Sequence, residues 1–198
     1  MNIPNKLTVS RLIMAPLFFI SFNLPLWVGP ELGKLSSILT IVLLLCTEMS
    51  DLLDGIIARK YNLITDLGKV MDPFADTFSR LTYFVCLSTY GIMPSWAFII
   101  IMWREFLILF IRMLMMGKGK PVAANIWGKS KAVLYAISGA AGVLYIALTR
   151  WVEGASWLSP IAGGLTVVFA LAAFASAASL LTYVRAIIRD GSLSSMSR

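Results

Sequence analysis

The chain has 198 residues, 59% of them hydrophobic and only 14% charged, with a net charge of +7 and no histidine. A soluble domain is usually about 45–50% apolar and about 25% charged, so this composition excludes an ordinary soluble protein and indicates an integral membrane protein; the mean hydropathy is +0.83. The length allows one membrane domain over 1–198 and no separate soluble domain, and histidine is unavailable as a base or metal ligand.

The first eleven residues mix Ile3, Leu7 and Val9 with Asn2, Asn5, Lys6, Thr8, Ser10 and Arg11. They read either as a short amphipathic interfacial segment or as a solvated tail. No short apolar run ends in a cleavage-like site, so this stretch is expected to be the start of the mature chain. A spanning helix needs roughly 20 mostly apolar residues, and six stretches approach that: 12–28, 35–58, 70–90, 95–116, 133–148 and 158–188. The last can tilt or extend past the bilayer. Gly29-Pro30, Gly91 with Pro94, the 117–121 stretch and Ser159-Pro160 punctuate the pattern. The expected fold is all-α and polytopic, six transmembrane helices with a short N-terminal interfacial segment. Cys46 and Cys86 lie in apolar runs without metal-like spacing and read as packing residues.

Basic residues fall unevenly on the two sides. Lys6, Arg11, Arg59, Lys60, Lys69, Lys118, Lys120, Lys129, Lys131, Arg185, Arg189 and Arg198 lie at one side, and only Lys34 and Arg150 at the other. The positive-inside rule then puts both termini in the cytoplasm. Charge at the ends of apolar spans also fits topology better than a nucleic-acid face, so no nucleic-acid partner is expected. Arg80, Arg104 and Arg112 are left inside the membrane.

Between the second and third spans lie Asp51, Asp54, Gly55, Ala58, Arg59, Gly68, Asp72 and Asp76. Acidic residues at the edge of a span are costly and mark functional sites. Asp51 and Asp54 are three apart and Asp72 and Asp76 four apart, so each pair shares a helix face. An antiparallel helix pair can point all four at one spot near the cytoplasmic face. Oxygen ligands without cysteine or histidine suit hard divalent cations, which often keep phosphates as partners. Gly55 and Ala58 keep the face shallow, Arg59 offers donors to a diphosphate, and Gly68 serves a turn or a close approach to substrate. Each acid alone could be a solvated helix-end residue; the fixed spacing of the whole set argues against that.

D-x2-D-G-x2-A-R-x8-G-x3-D-x3-D resembles the signature of the CDP-alcohol phosphotransferases, with every fixed position present. The resemblance implies a six-helix membrane enzyme that uses a divalent metal, Mg²⁺ or Mn²⁺, with two ions expected, to displace CMP from a CDP-linked substrate by a hydroxyl. By position, Asp51, Asp54, Asp72 and Asp76 would be metal ligands. Asp76 would also be the base, and Gly55, Ala58, Arg59 and Gly68 would shape the CDP site. The start (Asn2-Ile3-Pro4-Asn5, Leu7-Thr8, Arg11), Arg104-Glu105-Phe106 with Arg112, and Gly128-Lys129 with Lys131 resemble the phosphatidylglycerophosphate synthase branch. That implies CDP-diacylglycerol as donor and glycerol 3-phosphate as acceptor.

Arg104, Arg112, Lys129 and Lys131 could hold the acceptor phosphate; alternatively Arg104 pairs with Glu105 and the lysines face lipid headgroups. Thr77 stands where that branch usually has lysine and Ala132 where it usually has threonine, so serine, inositol phosphate, or diacylglycerol with a CDP-amino alcohol stay open as alternative substrates. A cation or proton transporter would also hold intramembrane carboxylates but needs no glycines at these offsets. Arg80 shares a face with Asp76 and would either neutralise the acidic site or contact substrate, and Glu48 shares a face with Asp51 and either joins the cluster as an extra ligand or has a plain polar role. The chain carries no dimer motif, and the resemblance leaves a homodimer open.

Overall fold

The structure, a computed structural model, describes residues 2–61, 63, 65–116, 126–152 and 156–189, with side chains outside the description at 66, 116, 126–130 and 186–189. Six long helices follow one another: α1 (Ile3–Trp27), α2 (Gly33–Lys60), α3 (Asp66–Thr89), α4 (Ser95–Met116), α5 (Ile126–Trp151) and α6 (Leu158–Arg189), with a 3₁₀ turn at Pro30–Leu32. No strand occurs among the described residues. Three helical stretches, Ile3–Trp27, Lys131–Trp151 and Leu158–Arg185, are long and apolar enough to cross a membrane by length and composition alone. The charges of the polar sites are concentrated on α2, α3 and α4. The fold is that of a polytopic membrane protein.

Local chemistry sets the helix starts. The Asn2 side chain accepts from the Asn5 backbone N–H with Pro4 in the first turn, and Thr65 accepts from the Gly68 N–H at 3.0 Å, satisfying donors that have no intrahelical partner. α3 stops where Gly91 takes φ +73°, a conformation that costs glycine little. The N-terminal stretch expected at the interface is continuous with α1. Its Asn5, Thr8 and Arg11 are buried against neighbouring helices.

α1 packs on α2 and α3, α5 on α2, α3 and α6, and α4 on α3 and α6. Phe84 of α3 is the centre of the core: fully buried, it meets Tyr135 of α5 and Phe169 of α6 edge-on, with centroids 5.4 and 5.7 Å away. α5 crosses α3 closely because Gly142 has no side chain; a Cβ there would lie 2.7 Å from Leu87 Cδ1.

At the end of the bundle away from the aspartates, Arg150 joins α5 to α1, α2 and the residue that follows α3. Nη1 donates to Ser36 Oγ of α2, and Nη2 to the Phe22 carbonyl of α1 and Tyr90 Oη beyond α3, each at 2.8 Å. Its guanidinium stacks over Phe22 and Tyr90 at 4.9 and 5.0 Å. Hydrogen bonds to a charged group contribute about 1.5–3 kcal/mol each, and their loss strands the partners. Arg150→Met is expected to lower stability by about 3 kcal/mol, read as a fall in the detergent melting temperature; an unchanged melting temperature would show the staple to be ornamental.

Candidate active site

The motif residues lie on the C-terminal half of α2 and the N-terminal half of α3. Polar side chains of α1 tie these two segments together. Asn2 Nδ2 donates to the Leu63 carbonyl at 2.9 Å, and Asn5 Nδ2 meets Thr65 Oγ1 at 3.3 Å, fixing the α2–α3 connection. Thr8 Oγ1 lies 2.7 Å from Asp72 Oδ1 and 3.4 Å from Asp54 Oδ2, joining the two carboxylate-bearing helices. Arg11, only 1% exposed, pairs through Nη1 with Asp51 Oδ1 and through Nη2 with Asp54 Oδ2, the latter at 2.6 Å.

Gly68 is what lets α1 approach. A Cβ at that position would lie 3.1 Å from Asn5 Oδ1 and 3.2 Å from Thr65 Oγ1, and 3.8 Å from Asp72 Oδ2. Its side is turned to α1, beside one of the acids. Gly55 has only Arg59 Nη2 near its missing side chain, at 3.6 Å, and the exposed Arg59 donates Nε to the Gly55 carbonyl at 2.9 Å. Ala58 is half-buried one turn beyond Asp54, and its carbonyl accepts from the Leu63 N–H at 3.0 Å.

Asp76 accepts from Arg80 Nη2 at 2.6 Å across one helical turn. Asp51, Asp76, Arg11 and Arg80 line one recess with Thr47, Glu48, Ser79 and Tyr83. The Ser79 and Tyr83 hydroxyls are buried there without a hydrogen-bond partner among the described residues. Thr77 is buried on another side of α3, in an apolar groove with Phe74, Phe98 and Phe106.

A second polar cluster continues from the first. Arg80 lies over the Tyr135 ring at 5.6 Å, and Lys131 over the same ring at 4.7 Å. Lys131 pairs with Glu105, and Glu105 accepts from Arg104 Nη1 at 3.0 Å. Arg104 Nη2 reaches Ser179 Oγ of α6 at 3.0 Å. Arg104, Glu105 and Lys131 are all buried, a placement that requires mutual compensation. Of the expected phosphate-holding residues, the fold brings Arg104 and Lys131 together around Glu105. Arg112 is exposed, eight residues and about 12 Å further along α4, and Lys129 lies outside the described side chains.

Among the described residues, no three acidic side chains stand close enough to hold one ion in this arrangement, and the acids are paired instead with Arg11, Thr8 and Arg80. The donor set still fits a hard divalent cation, being all oxygen, and a cation already bridges two of the acids in the form of the Arg11 guanidinium. Asn5, Thr8 and Arg11 were legible in principle: they are polar positions at helical spacing in a largely apolar helix.

The motif at this helix junction has counterparts in known proteins. A family model described as CDP-alcohol phosphatidyltransferase matches residues 1–176. A Treponema pallidum (strain Nichols) protein named CDP-diacylglycerol–glycerol-3-phosphate 3-phosphatidyltransferase is 31% identical over 191 residues, covering 93% of this chain and 88% of the relative. A Bacillus subtilis (strain 168) protein of the same name is 34% identical over 149 residues, 73% of this chain and 77% of the relative. A Streptomyces coelicolor protein named cardiolipin synthase (CMP-forming) is 30% identical over 163 residues, 82% of this chain and 71% of the relative. With the family model spanning most of its length and the motif of α2 and α3 intact, the chain belongs to the CDP-alcohol phosphatidyltransferase family.

Proposed function

We propose that the chain is a phospholipid-synthesising enzyme of the cytoplasmic membrane that transfers the phosphatidyl group of CDP-diacylglycerol to glycerol 3-phosphate and releases CMP. The observation that carries this is the junction of two polar clusters: four carboxylates on α2 and α3, and next to them the buried Arg104–Glu105–Lys131 group reached through Arg80 and Tyr135. The first has the chemistry to act on a diphosphate and the second to receive an anionic acceptor. The names of the Treponema and Bacillus relatives support the same donor and acceptor.

In this reading the whole chain is one catalytic membrane domain, with both termini and the site at the cytoplasmic side, a placement supported by the distribution of basic residues. The acceptor oxygen bonds to the phosphorus nearest the diacylglycerol, the bond from that phosphorus to the bridging oxygen of CMP breaks, and the hydroxyl proton passes to Asp76. Arg80 orients Asp76 for that transfer. Gly55, Ala58 and Arg59 form the nucleotide face, with Gly68 fixing the turn beside it. Asp51, Asp54, Asp72 and Asp76 would hold divalent metal, Mg²⁺ or Mn²⁺ and two ions, which when bound neutralises diphosphate charge and acidifies the attacking hydroxyl. Lys131 and Arg104, with the exposed Arg112 and with Lys129, would receive the acceptor phosphate by partial exchange with Glu105. A homodimer belongs to the same proposal, with mass measurement in detergent as its check.

A second reading keeps the family chemistry with a different acceptor, and the Streptomyces relative's name is the observation behind it. Purified protein with CDP-diacylglycerol and a panel of acceptors decides between them by CMP release. Release with glycerol 3-phosphate alone is expected. Release with serine, inositol phosphate or a lipid alcohol instead would move the protein to another branch.

A further inference from the structure

Among the described side chains, Arg11, Thr8 and Arg80 each hold one oxygen of the motif carboxylates they touch. Asp51 Oδ1 and Asp54 Oδ2 are held by Arg11, Asp54 Oδ2 and Asp72 Oδ1 by Thr8, and Asp76 Oδ1 by Arg80. Asp51 Oδ2, Asp54 Oδ1, Asp72 Oδ2 and Asp76 Oδ2 stay outside these pairings. Arg11 is the extreme member of the set. It is 1% exposed, it is among the largest fully buried side chains, and its Nε has no partner among the described residues. Burying a guanidinium is expensive unless acids compensate it, and the acids that compensate Arg11 are the two the motif supplies from α2. The converse also holds: without a cation between them, Asp51 and Asp54, three residues apart on one helix face, would repel.

We propose that Arg11 is a positioning residue that serves as a built-in counter-cation, holding Asp51 and Asp54 in place when divalent metal is absent and lowering the metal affinity of the pair when it is present. The inference rests on the metal-dependent reading of the site above. Its logic is linkage. A guanidinium and a divalent ion both neutralise the same carboxylates, so whatever Arg11 contributes to the metal-free fold is subtracted from what metal can add. Removing Arg11 makes the metal-free protein less stable and makes metal stabilise it more. Reciprocity then requires that the variant bind metal more tightly than the natural chain does. A residue that merely supported the ligands from behind would act with the opposite sign, since its loss weakens metal binding.

The test uses purified full-length Arg11→Met and Arg11→Lys in detergent, with Mn²⁺ as probe. Free Mn²⁺ is read by electron paramagnetic resonance, and melting temperature is read in EDTA and in saturating Mn²⁺. Arg11→Met should melt well below the natural protein in EDTA, the gap should narrow in Mn²⁺, and its Mn²⁺ dissociation constant should fall about tenfold, the equivalent of 1.4 kcal/mol. Arg11→Lys keeps the charge but cannot fork between two carboxylates, so its affinity should lie between the two; it also keeps the experiment decisive if Arg11→Met does not fold without metal. Equal or weaker Mn²⁺ binding in Arg11→Met or Arg11→Lys, or a melting gap that is the same in EDTA and in Mn²⁺, overturns the proposal. Failure of the natural chain itself to bind Mn²⁺ would instead overturn the metal-dependent reading.

Discussion

Asp76→Asn is expected to reduce CMP release by about 10³-fold, within the range that loss of a general base costs, while CDP-diacylglycerol still binds. Asparagine keeps the shape of the side chain, and its carbonyl oxygen can still accept from Arg80 Nη2, which reaches Asp76 at 2.6 Å. The recess it shares with Asp51, Arg11 and Tyr83 should therefore persist. What the variant loses is the capacity to take a proton and one anionic oxygen pair. Single-turnover CMP release separates this from a binding defect, and titration with CDP-lipid measures the binding directly. Near-normal turnover would remove Asp76 as the base and shift attention to Glu48, which lines the same recess.

The second large effect is expected at Glu105. Among the described residues this carboxylate alone is paired with Arg104 and Lys131, and all three side chains are buried. Breaking a buried ion pair from one side leaves uncompensated charge and costs about 3–5 kcal/mol. Glu105→Gln should therefore lower the melting temperature by roughly 10 °C, given about 2–4 °C per kcal/mol for a chain of this size. The cause is separable from lost packing. Glu105→Gln combined with Lys131→Met removes a cation along with the anion, and it should recover much of the loss, giving a large coupling energy in the double-mutant cycle. Additive losses would mean that the two side chains are near one another without depending on one another. In the acceptor assay, Glu105→Gln should change the KM for glycerol 3-phosphate more than that for CDP-diacylglycerol, since its partners are the proposed phosphate-holding cations.

Much of the architecture is written in local pattern. The fourth span, expected at 95–116 from its apolar run and flanking breakers, is α4 at Ser95–Met116. The third and sixth begin or end within a few residues of expectation. The acid motif is local too, because its residues sit on two consecutive helices whose faces follow from spacing alone.

What pattern could not supply is the partner of each charge. Arg11 contributes to the topological bias as a basic residue near a terminus, and a count by side cannot distinguish a lysine in headgroups from an arginine turned inward onto Asp51, forty residues away. Arg150 counts as an outside-loop charge but is in α5 and grips the Phe22 carbonyl. The adjacency of Arg104 and Glu105 shows in the sequence, whereas the closing contact from Lys131 depends on how α4 and α5 each pack on α3 and α6. In each case the missing information is a helix–helix contact, which has no signature in either segment by itself.

The two arginines that the side count treats as ordinary also determine how the bundle can breathe. Arg11 fastens α1 to α2 near one end, and Arg150 fastens the Phe22 carbonyl of α1 to Ser36 of α2 near the other, about 16 Å further along α1. Parting that seam would strip two guanidinium groups of their acceptors in a low-dielectric medium. The seam between α3 and α4, by contrast, is lined mostly by apolar side chains such as Phe74, Leu81, Phe98 and Met102, which lipid tails can replace at little cost. α1 with α2 is thus the fixed wall of the molecule. A lipid-borne substrate sliding in the plane of the bilayer would find its gate elsewhere on the perimeter.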